Sequence, residues 1–218
     1  MYYDSERRVG GGADPGLPWN PFKALVAPRP IGWISSLTPT GVVNLAPFSF
    51  FQAVADRPDV VMFSTEVEEP GTSGGGEHDG ERKDSHENAT MGGEFVCNLV
   101  SWDMREAMNT TSLRLPPDQS EAVHAGLQLA PSRRVRPPRV AGAPAALECV
   151  VVDSRQVVHR GRRHRVHMIF GEVVGIHIDD RFVCEGRVDT AAMQLVGRLG
   201  YDEYSVLDRT FRMTRPSV

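Results

Sequence analysis

Three short segments carry residue types that an ordinary core does not need. The first is Arg29-Pro30-Ile31-Gly32-Trp33-Ile34-Ser35-Ser36. The second is Asn44-Leu45-Ala46-Pro47-Phe48-Ser49-Phe50-Phe51. The third is Lys83-Asp84-Ser85-His86-Glu87-Asn88. Together they supply short hydroxyls, a lysine at an expected helix start, and backbone amides freed by proline and glycine. A phosphate is held by such a set: a helix N-terminus, hydroxyl donors and a cation. Trp33, Phe48, Phe50 and Phe51 offer a wall for a flat ring. The chemistry in view is the binding of a phosphorylated heterocycle.

Other chemistries find less support. The stretch from Gly71 to Ser85 resembles a phosphate-binding P-loop, but Glu81 and Arg82 separate Gly80 from Lys83, and Asp84 stands between Lys83 and Ser85. That breaks the required Gly-Lys-Ser/Thr run. His159, His164 and His167 cluster with Arg160, Arg162, Arg163 and Arg165, in a spacing that matches no zinc site. The residues 159–165 read as a hairpin tip, either simply solvated or attracting a dinucleotide's phosphates. His177 is expected to make a side-chain hydrogen bond in a strand. Cys97, Cys149 and Cys184 are an odd number with no CxxC pair, which argues against a disulfide framework. Cys97 and Cys149 sit in apolar runs and read as small core residues. There is no GxSxG elbow for a hydrolase triad. No metal site and no catalytic side chain are assigned.

The elements that must position these segments are mostly strands. The chain has 218 residues, 40% hydrophobic and 24% charged, which are globular values. Its 21 glycines and 16 prolines exceed ordinary usage of roughly 7% and 5%, and point to many turns. Residues 29–37, 42–54, 60–65, 95–101, 146–158 and 166–178 read as strands. Pro47 interrupts the second, which marks an edge, a bulge or a free backbone. Residues 66–82 read as a Gly-rich acidic loop. A short helix follows, with Asp84 as N-cap and Glu87 completing a capping box. A helix is expected over 102–112, with Met104, Ala107 and Met108 on one face, and another near 119–126 inside a proline-rich excursion. Strands joined by turns favour an antiparallel barrel over a parallel α/β sheet. The net charge of −4 argues against nucleic-acid binding. The first residues hold no apolar signal core, and no apolar run is long enough to span a bilayer. These features predict a soluble, cytoplasmic protein with no membrane or nucleic-acid partner.

The segments above resemble the flavin reductase-like, FMN-binding split-barrel family, close to its flavoredoxin-type members. The resemblance begins at Asn20-Pro21-Phe22-Lys23-Ala24-Leu25-Val26-Ala27-Pro28 and runs through Trp33. It continues through Asn44–Phe51 and Lys83–Asn88 to Gly171-Glu172-Val173-Val174 and Arg198-Leu199-Gly200-Tyr201. It implies a six-stranded antiparallel Greek-key split β-barrel over residues 20–212, with an arm at 1–19, a tail at 213–218 and a few peripheral helices. It implies a homodimer with one FMN per subunit. The implied cofactor contacts are Arg29, Pro30, Ile31, Trp33, Ser35, Ser36, Asn44, Ala46, Pro47, Ser49, Phe50, Lys83, Ser85 and Asn88. Ser49, Lys83, Ser35 and Ser36 are expected at the phosphate, and Ser85 keeps the hydroxyl of a position that usually holds threonine. The implied activity is an FMN-dependent oxidoreductase taking electrons from NAD(P)H and passing them to a flavin, a redox partner protein or a small acceptor. The alternative is a non-enzymatic flavoprotein, an electron carrier or flavin store. Flavin chemistry needs binding and orientation more than an acid–base dyad.

Overall fold

The computed structural model describes Tyr3 and residues 17–67, 84–158 and 165–216. The expected Gly-rich loop, Lys83, most of the N-terminal arm and the tip of the arginine-rich hairpin lie outside the described residues. The element order is α1 (Phe22–Leu25), β1 (Arg29–Pro30), β2 (Gly32–Leu37), β3 (Val43–Phe48), β4 (Phe51–Asp56), β5 (Asp59–Val67), α2 (Asp84–Gly92) and β6 (Glu94–Asn98). Then come α3 (Arg105–Thr110), α4 (Glu121–His124), β7 (Leu129–Ala130), β8 (Arg139–Val140), β9 (Ala145–Val158) and β10 (Arg165–Ile178). Last are β11 (Val183–Cys184), β12 (Arg187–Val188), β13 (Leu195–Arg198) and β14 (Tyr204–Leu207).

The main sheet runs β3-β2-β6-β9-β10-β5-β4, with every pair antiparallel. It curls until Phe48 of β3, at one edge, meets Phe63 of β5 near the other, with ring centroids 5.2 Å apart. This is the antiparallel split barrel of the resemblance. Its sheet has seven strands where six were implied. Its edge strand β4 buries only Phe51. A second, three-stranded sheet joins β1, β13 and β14.

Alternation assigns the core. On β2 and β3, Ile34, Ala46 and Phe48 face a core shared with Phe51, Val61, Phe63, Phe95, Cys97, Cys149 and Ile169. Their neighbours Trp33 and Leu45 face a second core with Ile31, Val100, Met108, Ala122 and Val140, beneath α3 and α4. The first two strands are thus buried on both faces, which is why they read as nearly continuous apolar and small residues. Met104 and Ala107 pack against the second core beside buried Met108, as the helical spacing predicts. Gly171 is required in β10: a Cβ there would lie 2.5 Å from the Phe95 ring.

β3 is an edge strand, and that accounts for Pro47. The Leu45 N–H points away from β2 and is taken by the Glu121 carboxylate at 2.9 Å. Pro47, two residues on, points its backbone the same way and has no N–H to satisfy. An edge so treated offers little to a foreign strand.

Candidate functional site

The inward rows of the barrel change character at one end. Ile34 is followed by Ser36, Phe63 by Thr65, and Ile169 is preceded by His167, each two residues away and so on the same face. Asn44 stands opposite Ser36 in the β2–β3 ladder, and His167 opposite Thr65 in β5–β10. All four are buried. Helix α2 covers them. Its Ser85 accepts a hydrogen bond from Asn44 Nδ2 at 2.8 Å, and its His86 ring meets that of His167 at 4.5 Å. Asn88, three residues after Ser85, lines a recess of about 270 Å³ with Leu37, Thr38, Gly41 and Arg136.

This polar end is not internally satisfied. Ser36 Oγ, Thr65 Oγ1 and Asn88 Nδ2 are buried with no hydrogen-bond partner among the described residues. A buried polar group left unpaired costs about 1–3 kcal/mol. Donors and acceptors kept in that state fit a ligand with many polar atoms, such as a ribityl phosphate chain. Ser36, Asn44, Ser85 and Asn88, four of the residues implied by the resemblance, thus come together beneath α2. Lys83 immediately precedes that helix in sequence.

Other expected contacts lie elsewhere. Trp33 is fully buried in the second core, and its Nε1 donates to Thr111 Oγ1 at 2.8 Å. Ser35 Oγ donates to the Pro138 carbonyl at 2.6 Å. Asn98 ties this face further, donating to the Trp33 carbonyl and accepting from the Val140 N–H. Arg29 is buried, and its guanidinium donates to the carbonyls of Lys23, Val26 and Leu199. It therefore staples α1 to the Arg198–Tyr201 segment. Gly200 allows the same approach, because a Cβ there would meet Ala24 at 2.6 Å. Ile31 belongs to the second core, Ala46 packs against the first, and Pro30 is exposed. Ser49 and Phe50 form the turn between β3 and β4, at the opposite end of β3 from Asn44. Cys97 and Cys149 are buried core thiols, and burial pushes both up, away from reactive thiolate.

Two buried carboxylates were not singled out by sequence. Glu148 of β9 accepts from the Arg133 and Arg134 N–H groups and anchors the proline-rich excursion. Glu121 holds β3 through Leu45. Burial pushes the Glu121 carboxyl up, the charge of Asp84 pushes the same way, and the Leu45 N–H opposes them. The folded protein therefore keeps this proton to higher pH than the unfolded chain. The associated stability is fully present below the ordinary glutamate range and is lost as pH rises through the raised value. We expect the stability of the wild type relative to Glu121→Gln to fall from about pH 4 upward. Urea unfolding of both proteins across that range checks this, and a pH-independent difference contradicts it.

A family model described as "Flavin reductase like domain" matches residues 25–188. The chain belongs to the flavin reductase-like family. A protein of Deinococcus radiodurans is 42% identical over 184 residues, covering 81% of this chain and 74% of its own. Among solved structures, nitrilotriacetate monooxygenase component B from Bacillus cereus matches with TM-score 0.79 and 28% identity, over 93% of this chain and 98% of that one. The 2-nitrobenzoate 2-nitroreductase of Pseudomonas fluorescens matches with TM-score 0.73 and 27% identity, over 90% and 89%. Membership of the flavin reductase-like family makes oxidoreductase chemistry the expected class, and the polar end beneath α2 is its candidate site. No helix among the described residues is long and apolar enough to cross a membrane.

Proposed function

We propose that the chain is an FMN-dependent NAD(P)H oxidoreductase. The observation that carries this reading is the set of buried, unpaired polar atoms at Ser36, Thr65 and Asn88, beside the Asn44–Ser85 pair. Bound FMN would supply the redox chemistry, taking a hydride from a nicotinamide donor and passing the electrons to an acceptor. The protein's part is to hold and orient. Ser36, Asn44, Ser85 and Asn88 supply hydroxyl and amide groups, α2 supplies its N-terminal dipole, and Lys83 supplies charge. Ala46, Pro47, Ser49 and Phe50 flank the same strand and would border the rest of the cofactor. Two of the structural relatives, a monooxygenase component and a nitroreductase, are redox proteins and favour an enzyme over a store. Anaerobic mixing of FMN-loaded protein with NADH or NADPH tests the activity. Rapid loss of flavin absorbance is expected. Negligible reduction by either nucleotide, with fast reduction by a redox protein, favours the carrier alternative.

A homodimer follows from the same reading. Val54 of β4, Val150, Val152 and Val157 of β9, and Ile176 of β10 remain exposed in the single chain, apolar side chains that a partner subunit would cover. Sedimentation is expected to find a dimer at micromolar concentration, and a stable FMN-loaded monomer contradicts it. A cytoplasmic location suits three unpaired cysteines.

A further inference from the structure

At the end of β3 away from α2, positive charge accumulates without a counter-charge. Arg29 of β1 and Arg198 of β13 stand directly opposite each other in their ladder. Directly opposed residues share a face, and like charges so placed repel. Arg29 is only 6% exposed, yet its guanidinium meets carbonyl oxygens alone, and its Nε–H is buried without a partner. Burial and the Arg198 charge both act to lower its pKa. Lys23 of α1 places its ammonium 5.7 Å from the Phe50 ring, and the Arg29 guanidinium lies 6.0 Å from the same ring. Arg198 stacks on Tyr204 at 4.3 Å and donates to the Tyr201 carbonyl. The ion pairs among the described residues involve other arginines, and no carboxylate is paired with Lys23, Arg29 or Arg198. Buried charge is ordinarily paired. Two cations beside one aromatic ring and a third opposed to one of them, in a chain of net charge −4, call for an anion from outside.

We propose that Lys23, Arg29 and Arg198 form a phosphate site beside Phe50 that takes a nucleotide's phosphate or pyrophosphate. A dianion there offsets the Arg29–Arg198 repulsion, and guanidinium groups match phosphate geometry. Phe50 offers its face to a base or ring of the same ligand. The ligand's identity rests on the flavin-reductase reading; the anion site itself does not. The nicotinamide donor's phosphates are the source proposed, because the FMN phosphate belongs to the α2 end of β3 with Ser85, Asn88 and Lys83; the phosphate of FMN is the alternative that the test separates.

The test uses the full chain carrying Lys23→Ala and Arg198→Gln, leaving Arg29 to its structural carbonyls. Calorimetric titration with inorganic pyrophosphate is expected to show salt-sensitive binding to the wild type, weakened roughly tenfold or more in the double variant. Lys23→Ala alone, at an exposed position, keeps the test available if the double variant folds poorly. No binding to the wild type, or equal binding to the variants, overturns the site. Dissociation constants for FMN and riboflavin, and KM for NADH and NADPH, then separate the sources. Weakened FMN with unchanged riboflavin assigns the cofactor's phosphate. Raised donor KM with unchanged FMN affinity assigns the donor's. If the wild type binds flavin and none of these values moves, the proposal fails while the flavin reading stands. If the wild type binds pyrophosphate but no flavin, the reverse holds.

Discussion

Replacing Trp33 by alanine is expected to cost about 3–5 kcal/mol of stability, the range for removing a large buried aromatic. Trp33 has no exposed surface and sits among Ile31, Leu45, Val100 and Met108. Its Nε1 donates to Thr111 Oγ1, whose own hydroxyl donates to the Met108 carbonyl at 2.8 Å. The indole thus joins the outer face of β2 to the end of α3. Trp33→Phe keeps most of the apolar volume and loses the hydrogen bond, for about 1 kcal/mol. Denaturant midpoints for both variants measure this. A cost for the alanine variant below about 1 kcal/mol, or an effect of Trp33→Phe confined to flavin affinity, contradicts a structural role.

Replacing Lys83 by alanine is expected to raise the FMN dissociation constant about ten- to hundredfold, since a charge-assisted hydrogen bond contributes about 1.5–3 kcal/mol. Lys83 directly precedes α2, whose Ser85 and Asn88 belong to the polar end of the barrel. An acidic chain must gather local positive potential to hold a phosphate bearing nearly two charges. Riboflavin lacks the phosphate, so its affinity is expected to be the same in both proteins. Titration of apo-protein with each flavin checks this, and an unchanged FMN constant removes Lys83 from the site.

The barrel was legible because its strands alternate and its turns carry proline and glycine. Of the edge, bulge or free backbone that Pro47 marks, the structure has the edge, and the strand breaks two residues later, at the Ser49-Phe50 turn. The helix expected after the Gly-rich loop is present over Asp84–Gly92, with Asp84, the expected N-cap, already helical. Less legible was which face each polar residue takes. Ser35 and Ser36 are adjacent and look equivalent in sequence, yet alternation sends Ser36 inward and Ser35 out to the Pro138 carbonyl. Trp33 follows Ser35 into the second core because α3 and α4 cover a face that a simple barrel leaves wet. Arg29 reads as a ligand group from its segment, and what the segment does not show is its structural share, three carbonyl partners from residues as distant as Leu199. Thr65 went unnoticed and His167 reads in sequence with the histidines of the arginine-rich hairpin, although each interrupts the inward apolar row of its strand. Glu148 gave a comparable sign: a carboxylate within an otherwise apolar run is buried only when something holds it.

The most direct measurement is the flavin content of the purified protein after incubation with FMN and removal of the excess. One FMN per chain is expected, with the visible absorbance of oxidised flavin, and release of the flavin on denaturation. A folded protein that retains no flavin and shows no saturable binding to FMN contradicts it.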